Sequence, residues 1–262
     1  MTVQEALSSS GLEPREARLL MAAATGFSEA SVIASNNAVS VEAERRFAQF
    51  AARRKTGEPV AYILGRKEFY GLELAVNPAV LIPRPETELL VDLSLGFGFS
   101  TAVDLGTGCG AIAAALKKHR PSARVVAVEA SAAALAVARR NATKHSLDVE
   151  FRHGRWLEGI EESFDLVVSN PPYVAAGDPH LADLRFEPIG ALVSGADGLD
   201  AIRELVRSAP ARLAAAGWLL LEHGMGQDRA VRELLLAAGL EEVTSWPDLA
   251  GIPRVSGGRR KI

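Results

Sequence analysis

The sequence predicts an α/β fold, a largely parallel, doubly wound sheet preceded by a small helical domain. Three observations carry that reading. From Thr101 onward, short Val- and Leu-rich runs alternate with longer Ala- and Leu-rich stretches of helical period. The first such run ends directly on Gly106-Thr107-Gly108-Cys109-Gly110, and a helical stretch follows at once. Residues 1–57, by contrast, carry helical signals only.

The helical region comes first. Residues 14–24 are Ala- and Leu-rich and stop near Gly26. A second helical stretch is expected from Ser28 to about Asn36. A third spans 40–55, with Phe47 and Phe50 three apart, basic residues in its last turn and Gly57 beyond it. Residues 58–85 change character. Gly71 separates two short β-like runs, 68–70 and 72–76, so a hairpin is expected there. Pro83-Arg84-Pro85 then makes a stiff, extended connection to a helix starting at Glu86. Taken as a spacer, it separates two domains; taken as a strap, it holds Arg84 over a neighbouring site.

The remaining elements follow in alternation: strands at 102–105, 124–128, 149–151, 164–169 and 218–222, then two more at 241–246 and 254–261. Helices are expected at 111–119, 131–145, 198–215 and 227–238, with Ser131 as an N-cap. That makes seven strands, and right-handed crossovers place helices on both faces. The domains expected are 1–57 (helical), 58–85 (hairpin and linker) and 86–262 (sheet domain).

Bulk properties exclude several classes. The chain has 262 residues, 48% hydrophobic and 23% charged, with a net charge of −3. Such a chain has no global positive field for a polyanion, so stable nucleic-acid binding is not expected. A single cysteine, Cys109, rules out an internal disulfide and a cysteine-built zinc site. His119, His145, His153, His180 and His223 are scattered, and no metal site is expected. Apolar runs are too short to span a bilayer and no basic-led signal segment opens the chain. A cytoplasmic, soluble protein without membrane contact is the expectation, and a monomer the default.

Two stretches carry chemistry. In the first, the glycines of the loop after the first strand let backbone approach a ligand, and the next strand ends in Glu129, about twenty residues on. A carboxylate there can accept both hydroxyls of a ribose. Gly106, Gly108 and Ala111 also satisfy the looser dinucleotide pattern of hydride-transfer enzymes, while the absence of Gly-Lys-Ser/Thr excludes a P-loop.

The second is Asn170-Pro171-Pro172-Tyr173 at the end of the fourth strand. Its prolines turn the chain out of the sheet, leaving a polar amide and an aromatic ring at the strand's C-terminal edge. Strand, Asn-Pro-Pro-Tyr and glycine loop together resemble adenosylmethionine-dependent methyltransferases acting on planar nitrogen. A planar amide or exocyclic amine is a poor nucleophile. The Asn170 side-chain oxygen and the Pro171 carbonyl can accept its N–H groups, aim the lone pair and favour the positive charge that builds on nitrogen. Tyr173 can stack on the planar group and exclude water.

Further stretches narrow the resemblance. Gly57-Glu58-Pro59-Val60-Ala61-Tyr62-Ile63-Leu64-Gly65-Arg66, Leu81-Ile82-Pro83-Arg84-Pro85-Glu86-Thr87-Glu88, Asp104-Leu105-Gly106-Thr107-Gly108, Arg185-Phe186-Glu187-Pro188 and Leu221-Glu222-His223-Gly224, in this order with Asn170-Pro171-Pro172-Tyr173, resemble the release factor glutamine methyltransferases. The resemblance implies a class I, Rossmann-like methyltransferase sheet and S-adenosyl-L-methionine as cofactor. It implies methylation of the glutamine amide in the Gly-Gly-Gln tip of class I peptide chain release factors, the partners. Carried over by motif, Gly106, Thr107, Gly108, Cys109 and Gly110 line the methionine end, Glu129 holds the ribose, Trp156 lies beside the adenine, and Asn170 borders the cofactor. Asn170, Pro171, Pro172 and Tyr173 hold the glutamine, Arg84 walls the site, and the helical domain contacts the release factor. Asn170, Pro171 and Tyr173 are the catalytic set.

Two departures stand out. The family commonly has Asp where this chain has Glu129. It often places an acidic residue before the aromatic at Trp156, to accept from the adenine amino group; here that residue is Arg155, which cannot accept. An adenine or guanine amino methyltransferase, a dinucleotide oxidoreductase and a non-catalytic binding module remain as alternatives.

Overall fold

Seven of the apolar runs pair into one sheet in the computed structural model, which describes residues 1–34 and 37–262. The chain divides into two units, Met1–Arg66 and Lys67–Ile262.

The first unit holds α1 (Val3–Ser9), α2 (Pro14–Thr25), α3 (Glu29–Ala34), α4 (Val41–Lys55) and α5 (Val60–Leu64). A capping box of Thr2 and Glu5 starts α1, a helix the sequence reading does not single out. Pro14 opens α2 and Gly26, in the left-handed region, closes it. The helix expected to reach Asn36 is described as α3 to Ala34; Ser35 and Asn36 lie outside the described residues. Leu20, Met21, Val32, Phe47 and Ile63 bury together. Ile63 brings α5 into that core, so the helical unit extends to Arg66 and not only to residue 57. The reason lies in the spacing of Val60, Ile63 and Leu64, which forms one apolar helical face that a linker would leave wet.

After α5, β1 (Arg66–Phe69) and β2 (Leu72–Ala75) form the expected hairpin. Tyr70 and Gly71, with φ of 50° and 70°, make its turn of the primed type that suits strand twist. There follow α6 (Thr87–Phe97), β3 (Thr101–Leu105), α7 (Ala111–His119), β4 (Arg124–Glu129), α8 (Ala132–Lys144), β5 (Glu150–His153), β6 (Phe164–Ser169), α9 (Asp200–Ser208), β7 (Leu213–Glu222), α10 (Asp228–Ala237), β8 (Glu241–Pro247) and β9 (Pro253–Arg259). The helix expected over 198–215 is shorter. It ends at Ser208, Pro210 lies in a 3-10 turn, and residues from Leu213 belong to β7. Proline removes a helical hydrogen bond, and Leu213 finds a strand partner in Phe164 instead.

The sheet order is β5-β4-β3-β6-β7-β9-β8. Strands β5 to β7 are parallel, and β9 runs antiparallel to both β7 and β8. The parallel strands are apolar almost throughout because helices cover both faces. Strand order reverses between β3 and β6, which lie side by side with Ala102 opposite Leu166 and Asp104 opposite Val168. The crevice beyond such a reversal is where open α/β sheets take ligands. Both chemistry-bearing stretches, after β3 and after β6, open into it.

Candidate active site

Asn170 leaves β6 half-buried, and its side-chain Nδ2 donates to the Thr87 hydroxyl at 3.0 Å. That bond turns the amide oxygen the other way. The loop beyond is braced: Val174 N–H donates to the Leu192 carbonyl (2.8 Å), Ser194 N–H to the Val174 carbonyl (2.9 Å), and the Gln227 side chain to the Tyr173 carbonyl (3.0 Å). The Tyr173 hydroxyl donates to Glu222 at 3.3 Å. Burial, reinforced by the Glu222 charge, pushes that phenol above its usual range. Tyr173 therefore stays neutral at ordinary pH.

After β3, the glycine loop spends its amides inside the protein. Gly106 and Thr107 N–H both donate to the Val128 carbonyl (2.9 and 3.0 Å), Gly108 N–H to Glu129 Oε2 (2.9 Å) and Gly110 N–H to the Thr107 carbonyl (2.8 Å). A pyrophosphate-binding loop keeps such donors for its anion. This one does not, which speaks against the dinucleotide reading. Glu129 accepts from Gly108 with one oxygen and from Ser131 N–H (2.9 Å) with the other. Each carboxylate oxygen keeps a lone pair free, matching a pair of vicinal hydroxyls.

A cavity of about 650 Å³ occupies the crevice, lined among others by Gly106, Gly108, Glu129, Trp156, Asn170 and Pro172. A smaller one, about 250 Å³, is lined by Arg84, Asn170, Pro171, Tyr173, Val174 and Leu184 among others. Asn170 borders both. Of the sequence-predicted cofactor residues, Gly106, Gly108, Glu129, Trp156 and Asn170 reach the larger cavity, whereas Thr107, Cys109 and Gly110 are not among its lining residues. Thr107 turns inward and donates to Asp104 Oδ2 (2.5 Å). Cys109 is buried, its carbonyl accepting from Asn141 Nδ2 (2.9 Å), and burial pushes its thiol up to about 12. Gly110 packs against Ala138; a side chain there would meet Ala138 Cβ at 3.1 Å.

Some contributors escape sequence reasoning. Asn141 holds the Ala75 amide (2.7 Å) and carbonyl (3.0 Å) as well as Cys109, tying the hairpin and the glycine loop to α8. A lone asparagine inside a helix gives no such signal. Asp104 is buried, with one oxygen unpartnered, and burial raises its carboxyl to about 7. Trp156 lies against Gly106, where a β-carbon would come within 3.0 Å of the indole. Beside it, Arg155 pairs with Glu204 of α9 at 2.5 Å, and both line the larger cavity. An acidic group thus reaches this corner, but from a distant part of the chain. Glu187 clamps Arg84 and accepts the Ile82 N–H at 3.0 Å, joining two of the motif stretches.

The sheet order, its switch point and the two meeting cavities define a class I methyltransferase. Comparison with known proteins agrees. A family model described as "Methyltransferase small domain" matches residues 86–184, and one described as "PrmC N-terminal domain" matches residues 2–65. Release factor glutamine methyltransferases of Burkholderia pseudomallei (48% identical, covering 98% of this chain and 96% of the relative) and Bordetella pertussis (47%, 98% of each) align almost end to end. Among solved structures, a methyltransferase from Pyrococcus furiosus superposes with a TM-score of 0.59 at 20% identity, over 82% of this chain and 100% of that one. A T. thermophilus 16S rRNA N2 methyltransferase solved with AdoMet and guanosine gives 0.56 at 23%, over 75% and 50%; at such identities these two speak for the fold alone. The chain belongs to the release factor glutamine methyltransferase family.

Proposed function

We propose that this chain transfers a methyl group from S-adenosyl-L-methionine to the side-chain amide nitrogen of the glutamine in the Gly-Gly-Gln tip of class I peptide chain release factors. The observation that carries this reading is that Asn170 borders a nucleoside-sized cavity on one side and a small, tyrosine-walled one on the other. Family membership narrows the acceptor from any planar nitrogen to a protein glutamine.

The residues present fit the cofactor. Glu129 keeps lone pairs for two ribose hydroxyls, Gly106 and Gly108 give flat backbone on the cavity wall, and Trp156 offers an indole face for the adenine. When bound, the cofactor supplies an electrophilic methyl on a sulfonium. The chain's own residues do the rest. Asn170, its amide turned by Thr87, presents Oδ1 to a substrate N–H. The Pro171 carbonyl takes the second N–H. Together they aim the nitrogen lone pair at the larger cavity and offset the charge that builds as the bond forms. Tyr173 and Leu184 wall off water, and Arg84, held by Glu187, lines the smaller cavity. The nitrogen's proton leaves to water afterwards, so no general base is required. The helical unit contacts the release factor away from its tip, and the enzyme works in the cytoplasm as a monomer.

Labelled cofactor and purified release factor test the reading. Label is expected in the intact factor and lost when the tip glutamine is changed to alanine. Label that persists in the changed factor, or that goes to nucleic acid, overturns it.

A further inference from the structure

Gln227 stands at the N-cap of α10 but does not cap it. No hydrogen bond joins its side chain to the first turn of that helix, and glutamine is not among the residues that helices favour there. The side chain is spent on the loops around it. Its Oε1 accepts from the Gly224 N–H at 2.8 Å, and its Nε2 donates to the Tyr173 carbonyl at 3.0 Å and to the Asp197 carbonyl at 3.2 Å. Both protons of the NH2 and one lone pair of the oxygen are thereby used. These partners also fix which way the amide faces. Turned over, it would set its oxygen against two carbonyls and its NH2 against an N–H.

The two carbonyls belong to the walls of different cavities. Tyr173 lines the smaller one, and Asp197 lies in the loop that supplies Ser194, Gly195 and Asp200 to the larger one. The two stretches of chain touch where Gln227 meets them. A β-carbon on Gly198 would collide with the Tyr173 carbonyl and come within 2.7 Å of Gln227 Nε2. Backbone bonds from Ser194 N–H to the Val174 carbonyl (2.9 Å) and from Ala176 N–H to the Gly195 carbonyl (2.7 Å) tie the two stretches to each other. Gln227 ties both of them to α10, whose Val231 and Leu235 are buried in the core. It also holds Gly224, against which the Tyr173 ring packs: a β-carbon there would lie 3.4 Å from Tyr173 Cδ2.

Methyl transfer depends on the distance between the acceptor nitrogen and the methyl carbon, and a misplacement of about 1 Å costs on the order of 100-fold in rate. With the acceptor in one cavity and the donor in the other, the rate follows how the two walls are held together. We propose that Gln227 is a positioning residue for this transfer: it fixes the Tyr173 wall of the acceptor cavity against the 194–200 loop of the cofactor cavity. It acts through these neighbours, being among the lining residues of neither cavity. The proposal rests on the methyl-transfer reading above.

The experiment compares Gln227→Glu and Gln227→Met with the parent, on release factor with labelled cofactor at about pH 8, where a glutamate is ionised. Glutamate keeps the shape of the side chain and the acceptor for Gly224, but sets an oxygen against two carbonyls. Methionine keeps the length and makes none of the three bonds. Glutamate at a helix N-terminus is favourable, so Gln227→Glu serves if Gln227→Met does not fold. Turnover per cofactor-binding site, with sites counted by calorimetry, is expected to fall about 10-fold or more in each variant, with cofactor Kd within about 3-fold of the parent. Loss of folded protein alone would lower the number of sites and leave turnover per site unchanged. A turnover per site that holds in either folded variant, or a cofactor Kd that rises as much as turnover falls, overturns the proposal.

A second readout needs no substrate. The chain has three tyrosines, so fluorotyrosine-labelled protein gives three fluorine signals, and Tyr173→Phe identifies one of them. That signal is expected to move in the Gln227 variants while the other two stay in place; a Tyr173 signal that stays put overturns the proposal. If the parent enzyme labels release factor lacking the tip glutamine, it is the substrate reading that falls. The role of Gln227 is then decided by turnover per site on the acceptor that is labelled and by the Tyr173 signal.

Discussion

Glu187 holds Arg84 across 103 residues of sequence, and its second oxygen accepts the Ile82 amide at 3.0 Å. The side chain of Glu187 is 3% exposed, that of Arg84 31%. The proline-flanked stretch is thus pinned at both its backbone and its guanidinium, beside the smaller cavity that Arg84 lines.

Removing Glu187 should therefore loosen this stretch more than it unfolds the sheet. Glu187→Ala frees the Ile82 amide and leaves Arg84 unpaired at the cavity edge. We expect KM for the release factor to rise about 10-fold while cofactor Kd changes little, and Tm to fall by a few degrees. Arg84→Ala strands a buried carboxylate instead, so it should cost more stability, on the order of 2–4 kcal/mol. Chemical denaturation of the two variants checks the order; Arg84→Ala being the milder would contradict the account.

Gly108 and Glu129 make a sharper test of the larger cavity. Gly108 sits at φ +58° with nothing within 4 Å of where a side chain would project, although it lines the cavity. An alanine there carries a backbone cost of about 1 kcal/mol and fills ligand space, so cofactor affinity should suffer more than folding does. Glu129→Gln replaces one acceptor oxygen by an NH2 that meets the Gly108 or Ser131 N–H head-on. A rise of 10-fold or more in cofactor Kd is expected, measured by calorimetry, with Tm of the free protein little changed. An unaltered Kd would mean that the ribose is held elsewhere.

How much of this was legible beforehand depends on how local the signal is. The loop of Gly106, Gly108 and Gly110, the strand ends at Glu129 and Asn170, and the alternation of strands and helices are short-range patterns, and the structure contains them. The pairing of Arg84 with Glu187, of Asn170 with Thr87 and of Asn141 with Ala75 joins residues 103, 83 and 66 apart. No periodicity encodes such contacts, which arise only when the crossovers stack. The misplaced end of the 198–215 helix has a different cause. Leu213 to Ala215 have good helical propensity, but a vacant pairing position beside β6 outweighed it.

Glu204 offers a test of how an adenine would be recognised. Arg155 stands where the family resemblance leads one to expect an acidic residue, and Glu204 reaches the same corner from α9 and pairs with it. An exposed pair of this kind adds little to stability. Its value would lie in offering an acceptor to the adenine amino group. Glu204→Ala is expected to weaken cofactor binding about 3- to 10-fold and to narrow the preference for the adenine over an inosine analogue, whereas Arg155→Ala should leave that preference in place. Equal effects of both changes would assign adenine recognition to backbone groups.

Stability should fall as pH rises toward neutrality. Burial is the main cause in both Asp104 and Glu222, pushing each carboxyl up to about 7 from ordinary values of 3.8 and 4.5. Around Asp104, the Thr107 hydroxyl and the Ala113 amide pull back down, while Glu129 adds to the rise. Around Glu222, Thr87, Tyr173 and Arg254 pull down and Glu86 pushes up. Because the folded values lie above the unfolded ones, the folded form holds these protons more tightly. The resulting stability is complete below about pH 4 and is lost as pH climbs to about 7, on the order of 3–4 kcal/mol for each group. His223 works in the opposite sense: burial depresses it, so its contribution grows as pH passes its ordinary value of 6.5. Two carboxyls outweigh one imidazole. Thermal denaturation between pH 4.5 and 8.5 should show Tm highest at the acid end and level above about pH 8. Glu222→Gln cannot ionise, so it should remove roughly half of the fall and raise Tm at pH 8 while leaving the acid end unmoved. A Tm that is flat from pH 5 to 8 in the parent would mean that water or relaxation relieves both buried carboxylates.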